Sequence, residues 1–178
     1  MNAGSPDACS PKKPGWPPVA RLGLADIAAL RDLEQLCFSY HWSEAQFKLG
    51  LERGAFHFLG TKDQGRLTAY VAFSAVAGEM EILNLGAHPD YRRQGLATNL
   101  LCAVLHICRK MGIETGYLDV KPSNLPAIAL YEKLGFTCYG RRKNYYPDTG
   151  ESALLYRYDF PHPGADAAKP QSASKESD

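Results

Sequence analysis

Three groups in this chain have the residue types and spacing to do chemistry together. They are a basic, glycine-punctuated turn at Arg92-Arg93-Gln94-Gly95-Leu96-Ala97-Thr98, an acid at Asp119, and a phenol at Tyr131, 12 residues further on. Gly95 and Ala97 carry almost no side chain, so backbone N–H groups there can approach an anion, and a helix that starts at this point adds its partial positive charge. Arg92 and Arg93 supply formal charge at the rim. A pyrophosphate suits such a turn. No lysine follows Gly95, as a Walker loop would need, and no Gly-x-Gly-x-x-Gly is present for a dinucleotide fold. The same residues could equally form an ordinary strand-to-helix turn with a solvated arginine pair. Asp119 could be a solvated strand-end acid, and Tyr131, between Leu130 and Leu134, a core aromatic. Beside a phosphate turn the two become a potential base and acid.

The elements around these residues decide whether they meet. Periodicity predicts an amphipathic helix over 27–38 and a second, capped by Ser43, over 43–51. Strands over 55–60, 67–74 and 80–87, with turns at 62–65 and 77–79, form an antiparallel meander. The main helix runs over 97–111 and stops at Gly112, followed by a strand over 117–120. Asn124-Leu125-Pro126 opens a shorter helix that Gly135 closes, and two last strands, over 136–139 and 153–158, flank a tyrosine-bearing loop. This order is mixed α/β: one domain with a mostly antiparallel sheet, one parallel pair made by the crossover helix, and about four flanking helices. The anion turn then lies at the C-terminal end of a strand beside a break in the sheet, where ligand and chemistry should meet.

Composition sets the bounds. At 178 residues the chain is one domain's worth. Residues 1–17 and 161–178 are rich in Pro, Gly, Ser, Ala and Lys and read as disordered tails, leaving a domain over 18–160. Net charge is +1, without the basic stripe that a nucleic-acid partner requires. No apolar run matches a membrane helix and no signal-peptide core is evident, so a cytoplasmic location without membrane attachment is expected. The 5 cysteines are odd in number and form no Cys-x-x-Cys pair, and each of the 5 histidines stands alone. Reduced thiols and no metal are expected.

Residues 79–160 resemble the GNAT superfamily of N-acetyltransferases, and within it the RimI-type branch of ribosomal-protein-alanine N-terminal acetyltransferases. The resemblance is carried by the Arg-x-x-Gly-x-Ala turn, by Leu83-Asn84-Leu85-Gly86-Ala87, and by Ser123-Asn124. It extends to Ala127-Ile128-Ala129-Leu130-Tyr131-Glu132, Leu134-Gly135-Phe136 and Arg142-Lys143-Asn144-Tyr145-Tyr146-Pro147, with Trp42-Ser43-Glu44 upstream. It implies acetyl-coenzyme A as cosubstrate. The strand backbone at Leu85, Gly86 and Ala87 would pair with the pantetheine arm, the turn Arg92, Arg93, Gln94, Gly95, Leu96, Ala97 and Thr98 would hold the pyrophosphate, and Asn124 would contact the thiol end. Tyr131 would be the general acid. Asp119 stands where the branch has a glutamate as general base, and one methylene less shortens the reach by roughly 1.3 Å, favouring a bridging water. Tyr145, Tyr146 and Asn144 would face Tyr40-His41-Trp42 across the site and bind a peptide, unless they form an aromatic hairpin packed on itself.

The implied partner is the N-terminal segment of a protein, most of all the N-terminal alanine of a small-subunit ribosomal protein. An α-amine of pKa about 8 is roughly 10% neutral at pH 7, a cost near 1.4 kcal/mol, whereas a lysine of pKa about 10.4 faces about 4.6 kcal/mol. A short-reach base fits the α-amine better. Two alternatives stay open: acetylation of a lysine side chain or small amine, and a non-catalytic acetyl-coenzyme A-binding module. No cysteine has a histidine at an evident pairing distance in sequence, which argues against an acyl-enzyme.

Overall fold

The computed structural model describes residues 15–161, so most of both expected tails lies outside the described residues. Seven strands form one sheet: β1 (Val19–Arg21), β2 (His57–Asp63), β3 (Arg66–Val76), β4 (Glu79–Ala87), β5 (Thr115–Val120), β6 (Thr137–Arg142) and β7 (Ala153–Asp159). Their order is β1-β2-β3-β4-β5-β7-β6. Four α-helices accompany them: α1 (Ile27–Cys37), α2 (Glu44–Glu52), α3 (Leu96–Lys110) and α4 (Leu125–Lys133).

Strand β3 explains the layering. It is an almost uninterrupted apolar run because both of its faces are covered. Ala69, Val71 and Phe73 point into a core with Leu100, Leu101, Val104 and Leu105 of α3. Tyr70 and Ala72 point the other way, into a second core with Leu30 and Leu33 of α1 and Phe47 of α2. The i, i+3, i+4 spacing of those helical residues places each apolar stripe on the sheet.

The predicted meander is present: β2, β3 and β4 pair antiparallel in sequence. Strand β4 then pairs parallel with β5 through the α3 crossover. The helix starts and stops follow their local chemistry. Ser43 Oγ accepts from the Gln46 N–H, Asn124 Oδ1 accepts from the Ala127 N–H, and Gly135 leaves α4 at φ 97°.

Some expectations are corrected. Lys62 and Asp63 belong to β2 rather than to a turn, because Thr61 is buried against Thr68 with their hydroxyls 2.9 Å apart, which prolongs the hairpin. The β1 edge strand was not expected; at three mostly exposed residues it is too short to show a period. Residues 15–17 are tied down in part, since the Pro17 carbonyl accepts from Asn99 Nδ2 at 2.8 Å. Cys37, Cys108 and Cys138 are free thiols, but Cys102 is disulfide-bonded, contrary to the expectation of reduced cysteines.

Candidate active site

The site begins where the parallel ladder ends. Pairing between β4 and β5 runs from Glu79↔Thr115 to Ile82↔Leu118 and goes no further. Beyond it Leu85, Gly86 and Ala87 pair only with β3, while Asp119 and Val120 pair only with β7. A bulge at Leu83, between the pairs Ala72↔Asn84 and Phe73↔Ile82, bends β4 away at that point. The two strands splay, and the seam side of β4 is left without a ladder partner.

A cleft of about 620 Å³ fills the splay. It collects Asp119 from β5, Tyr131 from α4, Leu85 from β4 and Asn124 from the α4 cap. Tyr40 and Trp42 line it from the α1–α2 loop, and Tyr145 and Tyr146 from the β6–β7 loop. Asn144 is not among the lining residues: it sits exposed in the turn after β6 at φ 51°.

Gly86, Ala87 and the turn continue the line of β4 outside that lining. Gly86 packs between three side chains, and a Cβ there would lie 3.0 Å from the Tyr70 ring and 3.3 Å from both the Cys37 sulfur and the Phe38 ring. Arg92 Nε donates to the Ala87 carbonyl at 3.3 Å, folding the start of the turn back on the strand. Arg93 has φ 62°, and Gly95 caps α3 at φ 81° with no side chain on the cap. The first amides of α3 therefore have no intrahelical acceptor and no capping side chain, the arrangement that receives an anion. Trp16 lies beside them; a Cβ on Gly95 would be 3.0 Å from its Nε1.

Tyr131 is buried, and its ring packs against Phe136 and Tyr156. Burial, then the nearby Tyr146 hydroxyl, pushes its pKa well above the usual tyrosine value, so it stays protonated and able to donate. Tyr146 is pushed up to about 12 by burial and then by the charge of Asp119. Asp119 is about a quarter exposed, and its Oδ2 lies 3.7 Å from Arg142 Nη1. At the other end of the lining, Asp148 Oδ2 accepts from Lys121 Nζ at 2.8 Å and from Ser39 Oγ at 3.1 Å, joining three loops.

Two acids escaped the sequence reading. Glu81 pairs with Tyr117 in the parallel ladder, so it shares a face with Tyr117 and Asp119. It lines the cleft and also a second hollow of about 470 Å³ that opens on the same face. Burial, then the charge of Asp119, raises its pKa. The alternation of Glu79 and Glu81 with Met80 and Ile82 was the available signal. Glu34 of α1 is fully buried, and its carboxylate accepts from the Tyr70 hydroxyl, Asn84 Nδ2 and the Trp42 N–H. Its spacing was the available signal: seven residues after Ile27 and four after Leu30, it falls within the apolar stripe of α1.

No group of three or more His, Cys, Asp or Glu residues that could hold a metal occurs among the described residues. No described helix is long and apolar enough to cross a membrane.

Comparison with known proteins agrees with the geometry. The profile of the Acetyltransferase (GNAT) family matches residues 27–136. The chain is 36% identical to the [ribosomal protein bS18]-alanine N-acetyltransferase of Escherichia coli strain K12, over 77% of this chain and 93% of that one. It is 30% identical to the N-alpha-acetyltransferase RimI of Mycobacterium tuberculosis, over 82% of this chain and 94% of that one. The crystal structure of the Escherichia coli ribosomal-protein-S18-alanine N-acetyltransferase superposes with a TM-score of 0.77 at 30% identity, covering 85% of this chain and 99% of that one.

Proposed function

The chain belongs to the acetyltransferase (GNAT) family, and from that premise we propose that it transfers the acetyl group of acetyl-coenzyme A to the N-terminal α-amine of a protein. The N-terminal alanine of a small-subunit ribosomal protein is the preferred substrate, which places the enzyme in the cytoplasm, where ribosomal proteins are made. Similarity to enzymes named for that reaction supports the choice. The observation that carries it is the splayed seam, with the glycine-capped start of α3 beyond one end of β4 and Asp119 and Tyr131 in the cleft itself.

The residues fit the coenzyme. The uncapped amides of α3 and the glycine at φ 81° suit a pyrophosphate, and the unpaired edge of β4 at Leu85, Gly86 and Ala87 suits an extended amide-bearing arm. Bound acetyl-coenzyme A supplies the activated acyl group. Asp119 accepts a proton from the incoming ammonium, through water where its short side chain does not reach. An N–H of β4 near the Leu83 bulge is placed to stabilise a developing oxyanion. Tyr131, held protonated by burial, donates its proton to the departing sulfur.

The walls favour a chain terminus. Tyr40 and Trp42 on one side and Tyr145 and Tyr146 on the other leave an aromatic-lined entry, and the bond from Ser39 to Asp148 ties the two loops together. The test is incubation with acetyl-coenzyme A and a peptide panel, read by mass spectrometry. One peptide has a free N-terminal alanine, one has a blocked N-terminus, and one is blocked but carries an internal lysine. Acetylation confined to the first supports the reading. Acetylation of the lysine peptide overturns the α-amine assignment, and none at all overturns the activity.

A further inference from the structure

Glu34 is the group in this molecule whose burial the reaction does not yet explain. It has no exposed surface, yet its carboxylate draws donors from three other elements. These are the Tyr70 hydroxyl on β3, Asn84 Nδ2 on β4 at 2.8 Å and the Trp42 backbone N–H at 3.0 Å. Burying a carboxylate is costly even when its bonds are made, and an apolar side chain of similar volume often serves a fold as well or better. Two of its three partners line the cleft: Trp42 forms part of the acceptor wall, and Asn84 follows the Leu83 bulge at which β4 leaves β5.

The direction of the Asn84 bond matters. A side-chain amide is planar, with donor and acceptor on opposite edges. Because Nδ2 is committed to Glu34 beneath the sheet, the carbonyl edge of Asn84 is left for the cleft that the residue lines. An alkylammonium arriving at the seam carries three N–H donors, of which Asp119 takes one. Asn84 Oδ1 lies on the same side of the sheet as Glu34 and is a second acceptor for it.

We propose that Asn84 binds the acceptor amine through Oδ1, and that Glu34 is the positioning residue that sets this orientation. The proposal rests on the reading that the amine enters at this end of the cleft. It adds a specificity element that the resemblance does not assign: an acceptor for an unsubstituted primary amine.

The test uses steady-state kinetics of the full chain with acetyl-coenzyme A and a free N-terminal alanine peptide, supported by calorimetry. Asn84→Ala should raise KM for the peptide by about 10-fold or more, the usual effect of losing a hydrogen bond to a charged group, with KM for the coenzyme within about twofold. Glu34→Gln, of equal volume, should move the same constant in the same direction. Combined with Asn84→Ala it should add nothing, because it acts through Asn84. Additive losses, or an equal rise in the coenzyme KM, would overturn the proposal. If Glu34→Gln does not fold, binding by Asn84→Ala decides. The parent should bind the peptide more tightly than its analogue lacking the α-amine, and Asn84→Ala should lose that preference. A retained preference overturns the proposal. This comparison needs no turnover, so it stands apart from failure of the acetyl transfer itself.

Discussion

The Arg142 guanidinium stands 3.7 Å from the Asp119 carboxylate, so the shorter of the two acids facing the seam is the one with an ion partner. Glu81, one methylene longer and on the adjacent strand, has no ion pair among the described residues and is pushed toward the neutral form. Asp119, a short acid that works through water, assists weakly, and its contribution should be largest where the substrate amine is most protonated. At pH about 9 most of an α-amine is neutral without help, whereas at pH about 6.5 only a few per cent is. Asp119→Asn should therefore lose kcat/KM mainly on the acid side, by about 10-fold at pH 6.5 and little at pH 9, and Asp119→Glu should retain activity throughout. The pH profile of all three proteins on a free N-terminal alanine peptide checks this. A uniform loss would assign Asp119 to positioning instead.

Gly95 tests the proposed anion site. Its φ of 81° is a conformation that β-branched residues hold only under strain, and a Cβ would lie 3.0 Å from Trp16 Nε1. Gly95→Val should weaken coenzyme binding by about 10-fold or more, as strain of this kind displaces the amides that face the anion. Calorimetric titration of coenzyme A measures it directly, and an unchanged affinity would remove the turn from the binding site.

Tyr131→Phe keeps the ring that packs on Phe136 and Tyr156 and removes only the hydroxyl. Turnover should fall on the order of 10²-fold, while the melting temperature changes little. A variant with parental kcat would return Tyr131 to the core.

Glu34 makes a prediction about stability alone. Burial raises its pKa in the folded state above the ordinary value of 4.5, so the native protein holds this proton more tightly than the unfolded chain does. Its contribution to stability is greatest when the group is protonated, and it declines as pH rises from the unfolded value through the folded one. Glu34→Gln cannot titrate. Urea unfolding from pH 4.5 to 7.5 should show the parent losing stability relative to the variant, and parallel curves would refute the assignment.

Much of this fold was legible because its decisive residues act locally. Ser43, Pro126, Gly95 and Gly135 punctuate helices through their own backbone chemistry, and the nearly unbroken apolar run around Tyr70 marks a strand covered on both faces. Asp119 and Tyr131 could be placed near one another once the crossover was read, and the structure brings both into one cleft. What stayed hidden depends on partners remote in sequence. Glu34 falls on the apolar face of α1 by its spacing, but the donors it meets there come from β3, β4 and the Trp42 loop, and Glu81 meets Asp119 only through parallel pairing. Asn144 was grouped with its tyrosine neighbours, but the turn at φ 51° leaves it outside the cleft they line.

Strand order has a consequence for how the protein is made. β7 follows β6 in the chain but inserts between β5 and β6, so β6 has no strand to pair with until residues 153–159 have emerged. During synthesis β2, β3 and β4 can zip up as sequential hairpins. Strand β5 can join β4 once α3 is made, but Asp119 and Val120, which pair only with β7, must wait for the β6–β7 hairpin, which brings Tyr145 and Tyr146 in its connecting loop. A chain cut before Ala153 would keep the turn at 92–98 and the α1–α2 core in sequence, but would lose Tyr156 and Phe160 from the other core and leave Tyr145 and Tyr146 with no hairpin to hold them. Catalytic competence should thus be the last property acquired in biogenesis, and the first lost when the hairpin frays.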